Sequence, residues 1–316
     1  MNLAQRKLGE NGREVSVLGL GCASYWAHPR FPDRGAREVL RQALASGITL
    51  FDTGASYGEG LGERRLGRFL RELQVQTDDL LIATKAGTVR SSSGRLVKDF
   101  RPASLLAQVD ASLERLDMEQ LGLLQLHGPE ISDLTDELLT CLERLRGSGK
   151  VDLLGINGFA PVINHVRAMA PFDVVMPFLS VVEPDNARLV AQAASAGQGV
   201  VVAGPLARMS FNPPLSSWLV RPAGLWYLAR ALYNGPGTLL RARRFRRALS
   251  TPGWTPAQLA MAWVLEQPGV TSAVFGTTRP EHIRELAEAA SRPLPDEVRQ
   301  RLTELHGSEA EPKPKR

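Results

Sequence analysis

Four polar residues in the first half of the chain could together transfer a proton: Asp52, Tyr57, Lys85 and His127. A tyrosine hydroxyl has an ordinary pKa of about 10, which is too high for ready proton exchange at neutral pH. A lysine ammonium beside it favours the phenolate, and an aspartate beside the lysine keeps the lysine charged and in place. An imidazole nearby can donate to a carbonyl oxygen and orient it. The set therefore suits the protonation of an oxygen that develops negative charge, or the reverse reaction.

The chain lacks the residue groups that other chemistries need. These four residues include no serine or cysteine nucleophile paired with a base, and no cluster of metal ligands, so no metal site is predicted. The two cysteines, Cys22 and Cys141, are too few for a disulfide framework, and their spacing suits no zinc site. We therefore predict two half-buried thiols in a reducing compartment.

The four residues can act together only if the fold brings them close, and the apolar pattern predicts how it does. Short apolar runs rich in β-branched residues alternate with stretches of helical period such as Arg37–Ala45 and Leu105–Leu116. Strands buried on both faces and separated by helices predict a parallel sheet, and eight such units predict a closed (β/α)8 TIM barrel. The eight runs are Ser16–Cys22, Ile48–Thr53, Leu80–Lys85, Leu121–His127, Asp152–Asn157, Asp173–Phe178, Gly199–Pro205 and Thr271–Gly276.

In such a barrel the C-terminal ends of the strands carry the chemistry. Asp52 falls at the end of the second predicted strand, Lys85 at the end of the third and His127 at the end of the fourth. Tyr57 lies in the loop that follows the second strand, so all four side chains are predicted to meet at one end of the barrel. An open dinucleotide-binding sheet is disfavoured, because Gly19-Leu20-Gly21 lacks the third glycine of that fingerprint.

Three segments lie outside the repeating pattern. Asn11-Gly12, within Lys7–Ser16, predicts an N-terminal β-hairpin with a type I′ turn that covers the closed end of the barrel. Residues 208–250 form a long insertion after strand seven, rich in arginine and aromatic residues, and are interpreted either as a lid or as a partner interface. Residues 308–316 are predicted to be a disordered tail, which leaves residues 1–307 as one barrel domain.

Composition restricts the class of protein. With 43% hydrophobic and 22% charged residues, the chain is typical of a soluble globular protein. Met1–Gly9 lacks the apolar core of a signal peptide, and no segment has about 18 consecutive apolar residues, so a cytoplasmic protein without a membrane anchor is predicted. The net charge is +5. No nucleic-acid-binding signature accompanies the arginines, so no nucleic-acid partner is predicted.

Around the four polar residues the sequence resembles the aldo-keto reductase family. The run Phe51-Asp52-Thr53-Gly54-Ala55-Ser56-Tyr57-Gly58, followed by Gly62-Glu63-Arg64-Arg65-Leu66-Gly67, is similar to the signature of that family. Thr84-Lys85 and Leu124-Gln125-Leu126-His127 are similar to its lysine and histidine strand ends, in the same order. The opening Leu18-Gly19-Leu20-Gly21 also fits, and the resemblance extends from about residue 7 to residue 305.

The resemblance implies an NADPH-dependent reduction of an aldehyde or ketone to an alcohol. The nicotinamide would deliver hydride to the carbonyl carbon, and Tyr57 would protonate the oxygen. Lys85 and Asp52 would tune Tyr57, and His127 would orient the small-molecule substrate. The family uses no metal.

The resemblance also implies a set of cofactor-binding residues. This set matches the family less completely than the four catalytic residues do. Asn157 would hold the nicotinamide, and the start of the helix after the last strand would hold the adenosine phosphate. Where the family usually has serine-asparagine, glutamine and an aromatic residue, this chain has Asn157-Gly158, Met176 and Ala203. His282 and Leu286 replace an arginine and an asparagine that many members carry. The predicted cofactor-binding residues are Gly21, Asn157, Pro205, Leu206, Gly276, Thr277, Arg279 and Glu285.

Two functional hypotheses follow. The first is the reductase, in which the arginines of residues 208–250 compensate for the missing cofactor contacts. The second is a non-redox dehydratase, isomerase or cyclase on the same fold, which uses Tyr57 and Lys85 for proton transfer alone. Tyr25 and Trp26 are candidates for the wall of the substrate pocket, with core packing as their alternative role.

Overall fold

The computed structural model of the protein describes residues 3–167, 169–207, 224–225 and 244–310. The strands are β1 Gln5–Lys7, β2 Glu14–Ser16, β3 Leu18–Gly21, β4 Leu50–Asp52, β5 Leu81–Ala86, β6 Thr88–Arg90, β7 Leu96–Lys98, β8 Leu121–His127, β9 Val151–Asn157, β10 Val174–Met176, β11 Gly199–Ala203 and β12 Ser272–Phe275. The helices are α1 Asp33–Ala45, α2 Leu61–Glu72, α3 Pro102–Leu116, α4 Asp136–Gly147, α5 Ala160–Val166, α6 Ala187–Ser195, α7 Pro256–Glu266, α8 Pro280–Ala290 and α9 Asp296–Ala310.

Eight of these strands form a closed parallel barrel. Its order is β3-β4-β5-β8-β9-β10-β11-β12, and β12 pairs with β3 to close the ring. Each of the eight predicted runs overlaps one of these strands, so the predicted (β/α)8 barrel is confirmed. Leucine and valine side chains from successive strands fill the interior, and a second apolar layer lies between the strands and the surrounding helices.

The N-terminal hairpin is confirmed, but its predicted turn is wrong. Strands β1 and β2 pair in antiparallel fashion, and six residues, 8–13, connect them. The Leu8 amide donates to the Arg13 carbonyl, 3.0 Å away. The left-handed residue is Gly9 rather than Gly12, and a β-carbon at Gly9 would lie 2.5 Å from the Gly199 amide nitrogen. The close approach of this turn to the barrel therefore fixes its shape, and the Asn-Gly pair alone does not reveal that contact.

Ser132 and Asp133, two possible helix caps close before α4, do not cap it. Residues Ile131–Asp133 form a short 3-10 turn instead, and Asp133 accepts from the Glu130 amide. The cap of α4 is Thr135, whose hydroxyl accepts from the Leu138 amide. Several residues before this helix are good caps, and only the path of the chain selects among them.

The insertion at residues 208–250 and the C-terminal tail at 308–316 lie largely outside the described residues. Of the insertion at 208–250, residues 208–223 and 226–243 lie outside them. At the C-terminus α9 runs through Ala310, and residues 311–316 lie outside them. Within the described part of the chain, no helix combines the length and hydropathy that a membrane crossing would require.

Candidate active site

The barrel brings the four predicted catalytic residues to its C-terminal end. Asp52 is the last residue of β4, Lys85 lies near the end of β5 and His127 ends β8. Tyr57 lies in the loop between β4 and α2. The parallel register places Gly21 beside Asp52 and Lys85 beside Gln125, so these strand ends meet on one rim.

Lys85 is the centre of the group. Its ammonium donates to Asp52 Oδ1 at 2.6 Å and to the Thr53 carbonyl at 2.8 Å, and both charged side chains are buried. The ammonium also lies 5.2 Å from the centroid of the Tyr57 ring and forms a hydrogen bond with Tyr57. Burial acts to lower the pKa of Lys85, but Asp52 and Tyr57 outweigh it and raise the pKa above its ordinary value. Lys85 therefore stays protonated at neutral pH.

Gln125 is a site residue that the sequence reasoning missed. Its amide nitrogen donates to Asp52 Oδ1 at 3.0 Å, and the side chain is buried. Gln125 therefore holds the aspartate that holds Lys85. Its position two residues before His127 on the same strand was a usable signal, because side chains two apart on a strand face the same side.

His127 is held in its neutral form. Its ring meets the Tyr57 ring edge-on, with centroids 5.6 Å apart. Burial lowers the pKa of His127 to about 3, and the positive charges of Lys85 and Lys98 add to the effect. Nδ1 is buried and has no hydrogen-bond partner among the residues that the structure describes. A buried nitrogen without a partner is less costly as a bare acceptor than as an N–H, so we assign the proton to Nε2.

The loop that carries Tyr57 has an unusual backbone. Gly58, Glu59 and Gly60 follow Tyr57 directly, and all three have left-handed φ, between +56° and +79°. A β-carbon at Gly58 would lie 2.1 Å from the Ala27 carbonyl oxygen, so only glycine fits there. Glu59 has a β-carbon, so its left-handed backbone conformation is strained. Its carboxylate forms an ion pair with Arg90 of β6 at 3.0 Å.

The β6–β7 hairpin crosses from this loop to the end of β8. Besides the pair between Arg90 and Glu59, the Lys98 ammonium donates to the Thr88 hydroxyl at 3.0 Å and to the His127 carbonyl. One hairpin thus contacts both the segment that presents Tyr57 and the backbone of His127. The apolar pattern of the sequence does not predict this hairpin, because β7 is exposed along its length.

A buried carboxylate supports strand β5 on the face opposite the Lys85 side chain. Glu63, in the first turn of α2, accepts from the Thr84 hydroxyl at 2.5 Å and from Arg115 of α3 at 2.5 Å. Thr84 directly precedes Lys85 and faces the opposite side of β5. The family signature contains Glu63, but its bracing role was not predicted.

The predicted nicotinamide-binding residues lie beside this group. Asn157 ends β9 and pairs in register with His127, and its amide nitrogen donates to the Met176 carbonyl at 3.1 Å. The Asn157 side-chain oxygen accepts no hydrogen bond from the described residues. Gly21 lies at the end of β3, and Pro205 and Leu206 follow β11 after Gly204.

The predicted phosphate-binding residues lie between β12 and α8, with one exception. The Thr277 hydroxyl accepts from the Arg279 amide at 3.1 Å and lies 3.0 Å from His282 Nδ1, and Gly276 directly precedes it. Arg279 forms an ion pair with Glu281. Glu285, by contrast, accepts from the hydroxyl of Thr255, the cap of α7. Leu286, which replaces a family asparagine, is buried in the core.

The predicted substrate-pocket residues Tyr25 and Trp26 are both buried. Trp26 is fully enclosed, and its indole nitrogen donates to the Ala36 carbonyl at 3.1 Å. Tyr25 stacks on His28 with ring centroids 5.1 Å apart. The structure therefore supports the core-packing alternative for Trp26.

Comparison with known proteins gives matches along nearly the whole chain. The model of the aldo/keto reductase family matches residues 17–306. A probable aldo-keto reductase 1 from Glycine max is 29% identical over 285 residues, which cover 86% of this chain and 80% of the relative. An L-galactose dehydrogenase from Arabidopsis thaliana is 31% identical over 212 residues, which cover 64% of this chain and 65% of the relative.

Solved structures agree with these matches. The holo form of an aldo-keto reductase from Bacillus halodurans superposes with a TM-score of 0.80 at 26% identity, and the match covers 96% of both chains. The family match begins just before the first barrel strand and ends within the last helix, so it includes every strand end described above. This chain therefore belongs to the aldo/keto reductase family.

Proposed function

We propose that this protein is an NADPH-dependent reductase that converts an aldehyde or ketone to an alcohol, with Tyr57 as the proton donor. The observation that carries the proposal is the buried Lys85 ammonium, which contacts both Asp52 and Tyr57. A fixed positive charge at a tyrosine hydroxyl stabilises the phenolate that remains after proton donation. The family relatives that are named as oxidoreductases support the same reaction class.

The residues at the open end fit a nicotinamide cofactor. When bound, the cofactor would supply the hydride that reduces the carbonyl carbon. Asn157 offers its side-chain oxygen to a carboxamide, with Gly21, Pro205 and Leu206 around it. Gly276, Thr277 and Arg279 offer backbone and side-chain donors at the start of α8, which suit the adenosine phosphate. Glu285 would reach the cofactor only by giving up its bond from Thr255, so we place it at the edge of the site.

In the proposed reaction the side chains act on the carbonyl oxygen. His127, which is neutral near pH 7 and carries its proton on Nε2, donates from that nitrogen to this oxygen and orients it. Tyr57 gives its proton to the same oxygen as negative charge develops there. Lys85 holds the resulting phenolate, and Asp52 and Gln125 keep Lys85 in place until solvent returns a proton to Tyr57.

The non-redox alternative also has a specific observation in its favour. Met176 and Ala203, where the family usually offers an amide and an aromatic ring to the nicotinamide, are both buried apolar side chains. A protein that binds no nicotinamide could still use Tyr57 and Lys85 to move a proton in a dehydration, isomerisation or cyclisation.

A cofactor titration separates the two functions. We expect NADPH and NADP+ to bind the purified protein with micromolar affinity, measured by calorimetry or by quenching of tryptophan fluorescence. An absence of binding at millimolar cofactor would overturn the reductase and leave the non-redox reaction.

The role of Tyr57 has its own test. We expect Tyr57→Phe to lower kcat by about 10²–10⁴-fold, because the proton donor is lost, while the NADPH dissociation constant stays within about twofold. Tyr25→Phe is the control, since it also removes a tyrosine hydroxyl near this end of the barrel. Retained turnover in Tyr57→Phe would contradict the assignment of the proton donor.

A further inference from the structure

Two phenylalanines beside the active site leave large apolar surfaces in solvent. Phe159 is 72% exposed and Phe178 is 37% exposed, and their rings stack with centroids 5.9 Å apart at an angle of 27°. Phenylalanine is among the residues most often buried, so an exposed stacked pair calls for an explanation.

The strand register places this pair on the rim of the active site. Phe178 continues the inward-facing row of Val174 and Met176 on β10, and a parallel bridge joins it to Ala203 of β11. Phe159 follows Asn157 by two residues in extended conformation. Asn157 in turn pairs with His127. Two residues of strand rise about 7 Å, so both rings lie one step above the level of His127 and Asn157.

Within the described part of the chain, the neighbouring residues leave part of both ring surfaces exposed. Gly204, which follows Ala203, carries no side chain, and a β-carbon there would touch Phe178 at 3.4 Å. Ile131 is 45% exposed in the 3-10 turn after β8, and α5, which begins directly after Phe159, packs beside that turn. Phe159, Phe178 and Ile131, here called the apolar rim, therefore lie just beyond the C-terminal ends of β9, β10 and β8.

The other contacts of the site indicate what the apolar rim would bind. A carbonyl oxygen held by Tyr57 and His127 fixes one end of the substrate at the level of the strand ends. The remainder of the substrate must then extend outward from the barrel, past His127 and toward the apolar rim. Aromatic faces suit flat apolar groups, which gain both from burial and from stacking geometry.

We propose that the apolar rim of Phe159, Phe178 and Ile131 is the substrate-specificity surface, and that it selects carbonyl compounds with an aromatic or similarly flat apolar group. The inference rests on the proposed function, because it takes the position of the carbonyl from Tyr57 and His127. Phe159 and Phe178 take no part in the proton transfer itself.

The test compares two aldehydes that differ in the flat group, 4-nitrobenzaldehyde and propanal. We expect Phe159→Ala and Phe178→Ala to raise KM for 4-nitrobenzaldehyde about tenfold with little change in kcat, since one stacked ring contact is lost. Kinetics with propanal and the NADPH dissociation constant should stay within about twofold. Leu106→Ala, which removes another exposed apolar side chain from the outer face of α3, is the control and should change none of these values.

A binding measurement keeps the test independent of turnover. In saturation-transfer NMR, 4-nitrobenzyl alcohol should show a strong aromatic signal with the wild-type protein and a much weaker one with either phenylalanine variant. Unchanged signals would overturn the apolar rim even if the protein binds no NADPH. Equal losses with both aldehydes would also overturn it, and so would a loss of NADPH affinity, because the pair would then contact the cofactor instead.

Discussion

His127 shows how the fold sets the state of a single residue. The pKa of this imidazole lies near 3 in the folded protein and near 6.5 in an unfolded chain, with burial as the main cause. Between these values the unfolded chain binds a proton that the folded protein does not. The contribution of His127 to the free energy of unfolding is therefore most favourable above pH 6.5, and it becomes less favourable as the pH drops from 6.5 toward 3.

An NMR titration checks this directly. We expect the ring resonances of His127, assigned by comparison with His127→Asn, to show no titration between pH 8 and pH 5. In the same variant, the loss of stability on acidification below pH 6.5 should become smaller, as measured by denaturant unfolding. A His127 midpoint near pH 6.5 would contradict the lowering of its pKa by burial.

At this scale the sequence identified the four residues that the barrel brings together better than those that support them. Asp52, Lys85 and His127 stand out because they are titratable residues at strand ends, and Tyr57 because it lies in the loop directly after one of them. Gln125 and Glu63 resemble ordinary polar residues in the sequence, and only their bonds to Asp52 and Thr84 show what they do. In the sequence Phe159 and Phe178 of the apolar rim likewise resemble core residues, and only the structure shows that they are exposed.

Among the elements, the loop from Tyr57 to Gly60 has the most demanding geometry. We expect Gly58→Ala to lower kcat at least tenfold and to destabilise the protein by about 2 kcal/mol or more. The new β-carbon is strained by the left-handed φ and collides with the Ala27 carbonyl, which moves Tyr57. Activity assays and denaturant unfolding measure the two effects.

Gly94→Ala is the matched control for this change. Gly94 also has a left-handed φ, of +80°, but it lies at the tip of the β6–β7 hairpin, where a β-carbon would meet only the end of Arg90 at 4.0 Å. It should therefore show the cost of about 1 kcal/mol for the backbone conformation without the loss of activity. Similar activity losses in both variants would argue against the fixed position of Tyr57.

The eight strands of the barrel followed from the sequence, because apolar runs are local signals. The β6–β7 hairpin, the turn of the N-terminal hairpin and the cap of α4 did not. Gly9 is left-handed where it approaches Gly199, more than half the length of the chain away, and Thr135 is chosen over Ser132 by the path of the preceding turn. Both depend on neighbours that a local pattern does not contain.

At the scale of the whole molecule, residues that stabilise the barrel at the hairpin end are distinct from those of the candidate active site at the other end. Leu8 of the N-terminal hairpin is fully buried and packs with the inward-facing side chains of the barrel at the end away from the site. We expect Leu8→Ala to destabilise the protein by about 2–5 kcal/mol through the cavity it creates, with KM and kcat unchanged at 25 °C. Denaturant unfolding and steady-state kinetics measure the two quantities.

Leu106→Ala is again the control, since an exposed leucine on α3 should cost less than about 0.5 kcal/mol. A large change of KM in Leu8→Ala would show that the hairpin end of the barrel is coupled to the active-site end.

The closure of the ring by β12 and β3 has a consequence for how the protein is made. Val274 lies opposite Gly19, about 250 positions away, so the ring cannot close until nearly the whole barrel sequence has left the ribosome. Until then the nascent sheet has two bare edges, and such edges pair readily with other chains. The interval before Phe275 emerges is therefore when the polypeptide most needs a chaperone.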